Sequence, residues 1–416
     1  MEGTGEGRRA MLADLLAASH LMPVELLPAK ASQCARAAGF RQVLIYLADL
    51  QRSVLCLLQG EGTEHQGAEA VLPIRGTVAG RAYQYVDVQP AAPAGDGVFQ
   101  WWVPLLDGTE RIGLLHVTSA RDDADVRADM EALASLLALI IISKRGTSDA
   151  LAKLVRAQPV SLAAEMQWNL MSPRTYADGR VAISASMEPA YEISGDIFEY
   201  AVDGPLVNLS IFDAMGHDTA AGLSATLALA ACRNSRRQGA GLIGRGEAIE
   251  RALIEQYDRQ RYVTGILATL DTRTGILRWV NRGHHRPIII RDHRWTTNLS
   301  CPAAHPMGTG LGLPSTVCEE QLQPGDRIVF YTDGITEARR PGGREFGLER
   351  FTDFLVRHHA DGLPVPETLR RLIQAVLDYH DGHLQDDATV LLCEWLGPHL
   401  EPVHEAAGLT GLSADG

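Results

Sequence analysis

The sequence predicts an α+β protein in which a small α+β domain, a helical segment and a larger α+β domain follow one another. Three observations lead to this fold class. The chain has 416 residues, 46% of them hydrophobic and 21% charged, which is enough for the cores of two or three globular domains. Short apolar strands occur in pairs with helices grouped between the pairs, which favours mainly antiparallel layers over a doubly wound sheet. Between the two groups, apolar residues recur at helical spacing.

The first predicted domain covers residues 12–120. Its strands, short helix and hairpin are expected at 43–47, 54–58, 76–85, 101–106 and 112–118. The hairpin is expected because Asp107-Gly108 is a two-residue turn signal between apolar runs. The stretches IRGTVAGRAYQY and VPLLDGTERIGLLHV resemble GAF sensor domains. The resemblance implies a domain that binds a ligand or signal, and the alternative is a dimerising spacer with nothing bound.

Residues 122–172 are predicted to form a helical linker. One wide apolar stripe recurs at three- and four-residue spacing and is made of Met130, Leu133, Leu136, Leu137, Ile140 and Ile141. After Gly146 it continues through Leu151, Leu154, Val155 and Leu162. The helix could pack on its own domain, or it could pair with the same helix of a second chain. We expect the second arrangement, and therefore a homodimer held through 133–141.

The second domain is predicted to cover residues 181–396 and to consist of strand pairs and helices. Its strands are expected at 206–212, 262–270, 276–280, 287–290, 327–331 and 389–395. Its helices are expected at 219–233, 247–260, 345–358 and 367–379. A turn at 271–275 joins two of the strands into a hairpin. Residues 397–416 are expected to form a flexible tail.

The charge balance excludes several kinds of partner. With 38 Lys and Arg against 51 Asp and Glu, the net charge is −13, which argues against nonspecific binding to nucleic acid or an anionic membrane. The most apolar run, 132–142, is far shorter than the roughly 20 residues of a spanning helix. The six cysteines form no C-x-x-C pair and are expected to be free thiols in a reducing compartment. We therefore expect a soluble cytoplasmic protein.

Several catalytic motifs are absent or out of context. The stretch GAGLIG at 239–244 matches G-x-G-x-x-G, but no strand leads into it, so a dinucleotide site is not expected there. The chain contains no P-loop, no G-x-S-x-G and no cysteine followed six positions later by arginine. His217-Asp218 and His380-Asp381 match the HD pair of metal-dependent phosphohydrolases, but those pairs belong to all-helical domains. The spacing of His and Cys does not favour zinc.

Aspartates at strand ends remain as the candidates for chemistry. They lie beside glycine or beside one another, at Asp196, Asp213, Asp333, Asp386 and Asp387. A single such aspartate indicates only a turn. Several carboxylates gathered at one end of a sheet would repel one another, and divalent cations would remove that repulsion. Ligands that are all hard oxygen atoms favour Mg²⁺ or Mn²⁺.

These segments resemble the PPM-type metal-dependent serine/threonine phosphatases of the SpoIIE/RsbU branch. Five motifs occur in the family order across 181–396, namely Ser194-Gly195-Asp196, Asp213-Ala214-Met215-Gly216-His217, Asn281-Arg282-Gly283-His284, Tyr331-Thr332-Asp333-Gly334 and Asp386-Asp387-Ala388-Thr389. Three positions depart from the family pattern. Ser194 replaces a glycine, Glu199 an aspartate and Asp218 a glycine. Asp218 can cap the helix that follows it, but it also adds negative charge near the predicted metals.

The resemblance implies an αββα sandwich with two Mn²⁺ or Mg²⁺ ions in the cleft between its sheets. Asp213 would bridge both ions, the Ala214 carbonyl and Asp196 would serve one of them, and Asp333 and Asp386 would bind the other. Supporting roles are expected for Gly195, Gly334, Asp387 and His284. No residue would act as the nucleophile, because a water activated by the metals attacks phosphorus in this family.

The resemblance also implies the function. We expect a phosphoserine/phosphothreonine protein phosphatase under control of the N-terminal sensor, with a STAS-domain anti-sigma factor antagonist as its substrate. The first alternative is a catalytically weak or inactive phosphatase fold that serves as an interaction module. A second alternative is a helical HD-type phosphohydrolase that acts on nucleotides. The sequence indicates neither the sensor ligand nor which of the two cations is used.

Overall fold

The computed structural model describes residues 2–60, 68–91, 97–188, 194–216, 218–292, 294–337, 345–380, 384 and 386–398. The chain divides between Pro159 and Val160 into two compact units, which are described separately. In the described part of the chain, no helix combines the length and the apolar character needed to span a membrane. Most of the predicted tail at 397–416 lies outside the described residues.

The first unit is one antiparallel sheet with helices on both faces. Its helices are α1 (Glu2–Ser19), α2 (Leu27–Ala35), α3 (Val78–Tyr85), α4 (Ala124–Arg145) and α5 (Asp149–Leu154). Its strands are β1 (Phe40–Ala48), β2 (Val54–Leu57), β3 (Val71–Pro73), β4 (Gln89–Pro90), β5 (Phe99–Asp107) and β6 (Glu110–Ser119). They form a sheet in the order β3-β2-β1-β6-β5-β4. The predicted hairpin is therefore confirmed as β5–β6, and Gly108 in its turn has a φ of +57°.

The apolar stripe of α4 is buried inside the first unit. Leu133 and Leu137 are completely buried in one core with Met11 and Leu15 of α1. Leu139 is the large apolar residue of this part of α4 that is exposed, at 65%. The interpretation of the stripe as a surface that needs a second chain is therefore wrong, because periodicity shows that a face is covered but not what covers it. The oligomeric state itself stays a prediction.

The helices of the predicted linker do not form a body of their own. Helices α4 and α5 belong to the first unit, whereas α6 (Leu162–Leu170) lies beyond the boundary and belongs to the second. The segment 122–172 is divided because α4 completes the core over the N-terminal sheet. The first unit thus extends well past the predicted boundary at residue 120.

In its described residues, the second unit contains six helices and eleven strands. Its helices are α6, α7 (Thr219–Arg237), α8 (Leu242–Tyr257), α9 (Asp333–Thr336), α10 (Leu348–Ala360) and α11 (Val365–Tyr379). Its strands are β7 (Thr175–Ala177), β8 (Val181–Glu188), β9 (Asp196–Asp203), β10 (Leu206–Ala214), β11 (Val263–Asp271), β12 (Ile276–Arg282), β13 (Ile288–Arg291), β14 (Trp295–Asn298), β15 (Cys318–Gln321), β16 (Arg327–Tyr331) and β17 (Ala388–Trp395). All predicted strands and helices of this domain are present, with ends shifted by a few residues. Strands β7, β8, β9, β14 and β15 were not among the predictions.

These strands form two antiparallel sheets between two helical layers. The five-stranded sheet has the order β15-β12-β11-β10-β9, and α7 and α8 pack on it. The six-stranded sheet has the order β14-β13-β16-β17-β8-β7, and α10 and α11 lie against it. Apolar residues of both sheets, including Phe198, Ile211, Phe330 and Leu391, share one buried core. The predicted αββα sandwich is confirmed.

One pair of cysteines corrects the prediction of six free thiols. Cys301, which follows β14, forms a disulfide with Cys318 at the start of β15, and their Cα atoms are 5.8 Å apart. The fold brings them together across 17 positions of sequence, a proximity that the cysteine spacing does not reveal. The other four cysteines are free and buried, as expected.

Candidate metal centre

Two of the predicted aspartates lie on adjacent strands of the five-stranded sheet. Asp196 is the first residue of β9, and Asp213 lies near the end of β10. The antiparallel register pairs the two residues directly, so both side chains project from the same face. Like charges in this relation destabilise a sheet unless something compensates them. We refer to this pair as the β9–β10 side of the site.

Three further aspartates lie at the matching end of the six-stranded sheet. Asp333 begins α9 just after β16, and Asp386 and Asp387 directly precede β17. Because β16 and β17 are antiparallel neighbours, the end of one lies beside the start of the other. Gly334 lets the two segments touch, since a Cβ atom there would lie 1.8 Å from the backbone oxygen of Asp387. We refer to these residues as the β16–β17 side.

The two sides face one cavity of about 340 Å³. Its acidic lining consists of Asp213, Asp333, Asp386 and Asp387, and its other lining residues are Ala214, Met215, Gly216, Tyr262, Thr264, Gly283, His284 and His285. Asp196 is not part of the lining. It lies completely inside the protein behind Asp213, where its Oδ2 accepts a 2.6 Å hydrogen bond from Thr332 Oγ1.

The two acids of the β9–β10 side have raised pKa values. Burial raises the pKa of Asp213 to about 7, with the carboxylates of Asp333, Asp386 and Asp387 as further causes. Burial and the carboxylates of Asp213 and Asp387 raise the pKa of Asp196 well above its usual value. Both acids resist ionisation because they are buried beside other carboxylates, and a bound cation would relieve this condition.

The β16–β17 side has a histidine beside Asp333. The Nε2 atom of His285 lies 3.8 Å from Asp333 Oδ2 and half of its ring surface is covered. The neighbouring histidine holds the pKa of Asp333 below its usual value, and Asp333 in turn raises the pKa of His285. The sequence analysis did not assign a role to His285. Its position directly after the predicted His284 is the sequence feature that could have suggested a role for it.

His284 supports the site without offering a nitrogen to it. Its Nε2 donates to the backbone oxygen of Tyr331 at 3.1 Å, so its Nδ1 accepts from Thr264 Oγ1 at 2.8 Å. Burial lowers the pKa of this ring to about 4, consistent with a neutral imidazole. The side-chain amide of Asn281 holds the His284 backbone, because its Nδ2 donates to the His284 oxygen and its Oδ1 accepts from the His284 N–H. Since Thr264 belongs to one sheet and Tyr331 to the other, His284 joins the sheets beside the cavity.

Gly195 occupies a position where no side chain fits. A Cβ atom there would lie 2.6 Å from the oxygen of Gly216 and 2.9 Å from that of Ala214. Its N–H donates to Asp387 Oδ2, and its carbonyl accepts from the Ala214 N–H at 2.9 Å. The predicted supporting glycine thus connects the β9–β10 side with the β16–β17 side.

Two departures from the family pattern lie away from the cavity. Glu199 is buried and paired with Arg233 and Arg236 of α7, each at 2.7 Å. Asp218 caps α7 by accepting the Ala221 N–H at 2.8 Å, as predicted, and pairs with Arg261 at 3.0 Å. Both carboxylates therefore have partners of opposite charge. His217 lies outside the described residues, as do Asp381, Gly382 and His383.

The donors of the cavity fit Mg²⁺ or Mn²⁺. Among the residues that the structure describes, no group of three or more His, Cys, Asp or Glu side chains is arranged to hold one metal ion. The carboxylates instead line the cavity in a wider arrangement. Mg²⁺ usually keeps several waters and takes only one or two carboxylates, so this spacing suits it. The raised pKa of Asp213 is a further observation that favours a cation here.

Comparisons with known proteins cover mainly the second unit. Residues 203–396 match the family model described as Stage II sporulation protein E (SpoIIE). The chain is 23% identical over 238 residues to the phosphoserine phosphatase RsbU of Bacillus subtilis (strain 168), spanning 56% of this chain and 69% of RsbU. It is 25% identical over 138 residues to protein IcfG of Synechocystis sp. (strain ATCC 27184 / PCC 6803 / Kazusa), spanning 33% of this chain but only 21% of IcfG. Among solved structures, the SiaA-PP2C domain of Pseudomonas aeruginosa is 21% identical with a TM-score of 0.49, covering 56% of this chain and 94% of that domain.

Proposed function

Since residues 203–396 form a SpoIIE-family phosphatase domain, we propose that the chain hydrolyses phosphoserine and phosphothreonine esters of a protein partner with the help of two Mn²⁺ or Mg²⁺ ions. One observation carries this proposal: four aspartates from two different sheets line a single cavity. A cavity with this lining repels a phosphate dianion unless cations neutralise it. The family resemblance and the chemistry of the cavity thus lead to the same metal requirement.

The assignment of ligands follows the two sides of the cavity. Asp213 would contact both ions, with the Ala214 carbonyl and Asp196 serving the ion on the β9–β10 side. Asp333 and Asp386 would hold the ion on the β16–β17 side. When bound, a pair of divalent ions lowers the pKa of a water and neutralises the oxygens of a phosphoryl group.

The chain itself would position these groups and supply no nucleophile. His284 joins the two sheets through Thr264 and Tyr331, and thereby fixes the distance between the two sets of carboxylates. In the described lining of the cavity there is no cysteine or serine. Cys232 is buried elsewhere, and burial raises its pKa to about 11, which keeps the thiol protonated and unreactive.

The substrate and the regulation are proposed from the resemblance to the SpoIIE/RsbU branch. We expect a phosphorylated STAS-domain anti-sigma factor antagonist as the protein substrate, with the first unit as a GAF-like sensor that controls the reaction. The six-stranded antiparallel sheet of the first unit, with helices on both faces, supports this part of the proposal.

The alternative of an inactive interaction module rested in part on Asp218. Its carboxylate caps α7 and pairs with Arg261, so its charge has two partners outside the cavity. The first motif, altered at Ser194, still supplies a hydrogen bond, from the Asp196 N–H to Ser194 Oγ at 3.0 Å. These contacts favour the enzyme over the inactive module.

Hydrolysis of p-nitrophenyl phosphate tests the proposal most simply. We expect the full chain to show activity that requires Mn²⁺ or Mg²⁺, disappears in excess EDTA, and is insensitive to alkylation of thiols. The Asp333→Ala variant should lose this activity. Hydrolysis by the wild type that persists in EDTA would overturn the proposal, and a well-folded wild type with no metal-dependent activity would favour the interaction module.

A further inference from the structure

A buried glutamine outside all the motifs touches the backbone of the first of them. Gln167 lies in α6, is completely buried, and belongs to none of the residues assigned above. Its Nε2 donates to the backbone oxygen of Ser194 at 2.5 Å and lies 3.4 Å from that of Asp196. Because carbonyl oxygens only accept, the side-chain NH₂ must face this loop. Both donor positions of the amide are directed at the segment that carries a predicted metal ligand.

The Ser194–Gly195 peptide connects Gln167 to the cavity. Its carbonyl accepts from Gln167, and its N–H donates to Asp387 Oδ2. The carbonyl and N–H of one planar peptide unit point in opposite directions, so the two partners hold the same plane from its two ends. A hydrogen bond at one end of a polarisable peptide also strengthens the bond at the other end. Asp387 is one of the acids that line the cavity.

The peptide depends on its hydrogen bonds for its orientation. Gly195 has no side chain, and a Cβ atom would collide with Gly216 and Ala214, so the position must be glycine and is inherently free to rotate. Without the Gln167 amide, the Ser194 carbonyl would be buried without that partner, and the peptide could turn away from Asp387. The orientation of Asp387 and Asp196 would then be lost together.

We infer that Gln167 is a positioning residue for the metal centre: its amide fixes the Ser194–Gly195 peptide and through it the carboxylates of Asp387 and Asp196. This inference rests on the proposed function, since it assumes that the acidic cavity binds divalent cations. Gln167 itself contacts neither metal nor substrate. Groups that hydrogen-bond to metal ligands without touching the metal typically lower the metal affinity by roughly 10- to 100-fold when they are removed.

The test compares Gln167→Met, which keeps the length of the side chain but removes the amide, with the wild type in the full chain. We expect calorimetric titration with Mn²⁺ to show binding weakened by roughly 10-fold or more. The Mn²⁺ concentration for half-maximal hydrolysis of p-nitrophenyl phosphate should rise by a similar factor. Asn169→Leu is the matched control: Asn169 lies on the same helix and its amide bonds only to Glu165. This control should leave both quantities unchanged.

A merely structural role predicts a different pattern. In that case Gln167→Met would lower the unfolding temperature without changing the affinity for Mn²⁺, and this result would overturn the inference. If Gln167→Met does not fold, Gln167→Leu replaces it, because leucine is apolar and has no group that could donate to the Ser194 carbonyl; wild-type affinity in that variant would also overturn the inference. A wild type that binds no Mn²⁺ would overturn the proposed function as well, whereas equal affinities in wild type and variant would overturn this inference alone.

Discussion

The β9–β10 side and the β16–β17 side of the cavity both present carboxylates, but they differ in what surrounds those carboxylates. Asp196 and Asp213 lie opposite each other on one sheet, and burial together with other acids raises the pKa of both. Asp333 has the His285 ring 3.8 Å away, and its pKa is lowered. The histidine thus acts most strongly on Asp333, whereas at Asp213 its lowering effect is the last of the causes, after burial and three carboxylates.

This difference indicates where a cation matters most. A carboxylate whose charge is already balanced gains little stability from a bound metal, whereas an unbalanced buried pair gains a great deal. Asp213 belongs to the unbalanced pair and also faces the cavity, so it combines the strongest need for a cation with access to it. We therefore expect the largest effects at Asp213.

The largest predicted effect is that of Asp213→Asn. The Asp213 carboxylate would supply negative charge to both proposed metal positions. Without it, the rate of p-nitrophenyl phosphate hydrolysis should fall on the order of 10³-fold or more at saturating Mn²⁺. Asp196→Asn should be milder, raising the Mn²⁺ concentration required while leaving some rate at saturation. Steady-state kinetics across a Mn²⁺ series measures both. Near-normal turnover by Asp213→Asn would show that the assignment of the bridging ligand is wrong.

A second prediction tests the contact that builds the β16–β17 side. In Gly334→Ala the new Cβ would overlap the backbone of Asp387, so Asp333 and Asp387 cannot both keep their positions. We expect a loss of roughly 1–3 kcal/mol in the free energy of unfolding and a large loss of activity.

Gly244→Ala is the matched control for that substitution. Its Cβ would meet only the side chain of Ala240, just before α8, at 3.5 Å, which is an ordinary contact. Alanine is favoured over glycine in a helix, so this variant should gain up to about 1 kcal/mol with unchanged activity. Urea unfolding and the phosphatase assay distinguish the two variants. Equal effects of the two substitutions would mean that the Gly334–Asp387 contact does not shape the site.

The third prediction concerns stability against pH in the presence of EDTA. The folded-state pKa of Asp213, about 7, lies above its unfolded value, so the native state binds the extra proton and is stabilised at low pH. That stability should be lost as pH rises towards and through 7. At pH 8, Asp213→Asn should therefore be more stable than the metal-free wild type, and Mn²⁺ should restore the wild type.

Asp333 should behave in the opposite sense. Its pKa is lowered by His285, so its contribution to stability is present above the unfolded pKa and is lost as pH falls. Asp333→Asn should thus be less stable than the wild type at neutral pH without metal. Thermal unfolding of both variants in EDTA between pH 5 and 8 makes the comparison. If both variants shift stability in the same direction, the proposed difference between the two sides does not exist.

The smallest predicted effect is that of Asp218→Ala. The substitution removes the cap of α7 and the pair with Arg261, both outside the cavity, so we expect a small loss of thermal stability and unchanged Mn²⁺ dependence. Asp218→Asn keeps the capping oxygen and should be closer to the wild type. A change in Mn²⁺ affinity in either variant would show that Asp218 acts on the metal centre after all.

The sequence predicted the second unit well because its signals are local. Turn residues and apolar runs located the strands, and the strand ends located the aspartates, so Asp213, Asp333, Asp386 and Asp387 were expected in one place and lie there. Asp196 was expected among them, but it lies behind the cavity. There it accepts a hydrogen bond from Thr332, 136 positions away in the sequence, and a single sequence carries no signal for that contact.

The failures share one physical cause, which is contact between distant parts of the chain. The stripe of α4 meets α1, more than 100 residues earlier, and this contact covers the face that was expected to meet a second chain. Cys301 and Cys318 meet because the chain returns to the edge of the five-stranded sheet. Gln167 reaches the first motif across 27 positions. Periodicity and motif spacing describe what is near in sequence and cannot reveal these contacts.

Calorimetric titration of the metal-free chain with Mn²⁺ tests the central claim, that this cavity is a two-ion centre held together by Asp213. The account predicts that the wild type binds two Mn²⁺ ions per chain at pH 7.5, with release of protons from the acids whose pKa is raised. It also predicts that Asp213→Asn, which should remain folded, loses this binding. A wild type that binds no Mn²⁺, or an Asp213→Asn variant that binds two ions as tightly as the wild type, would contradict it.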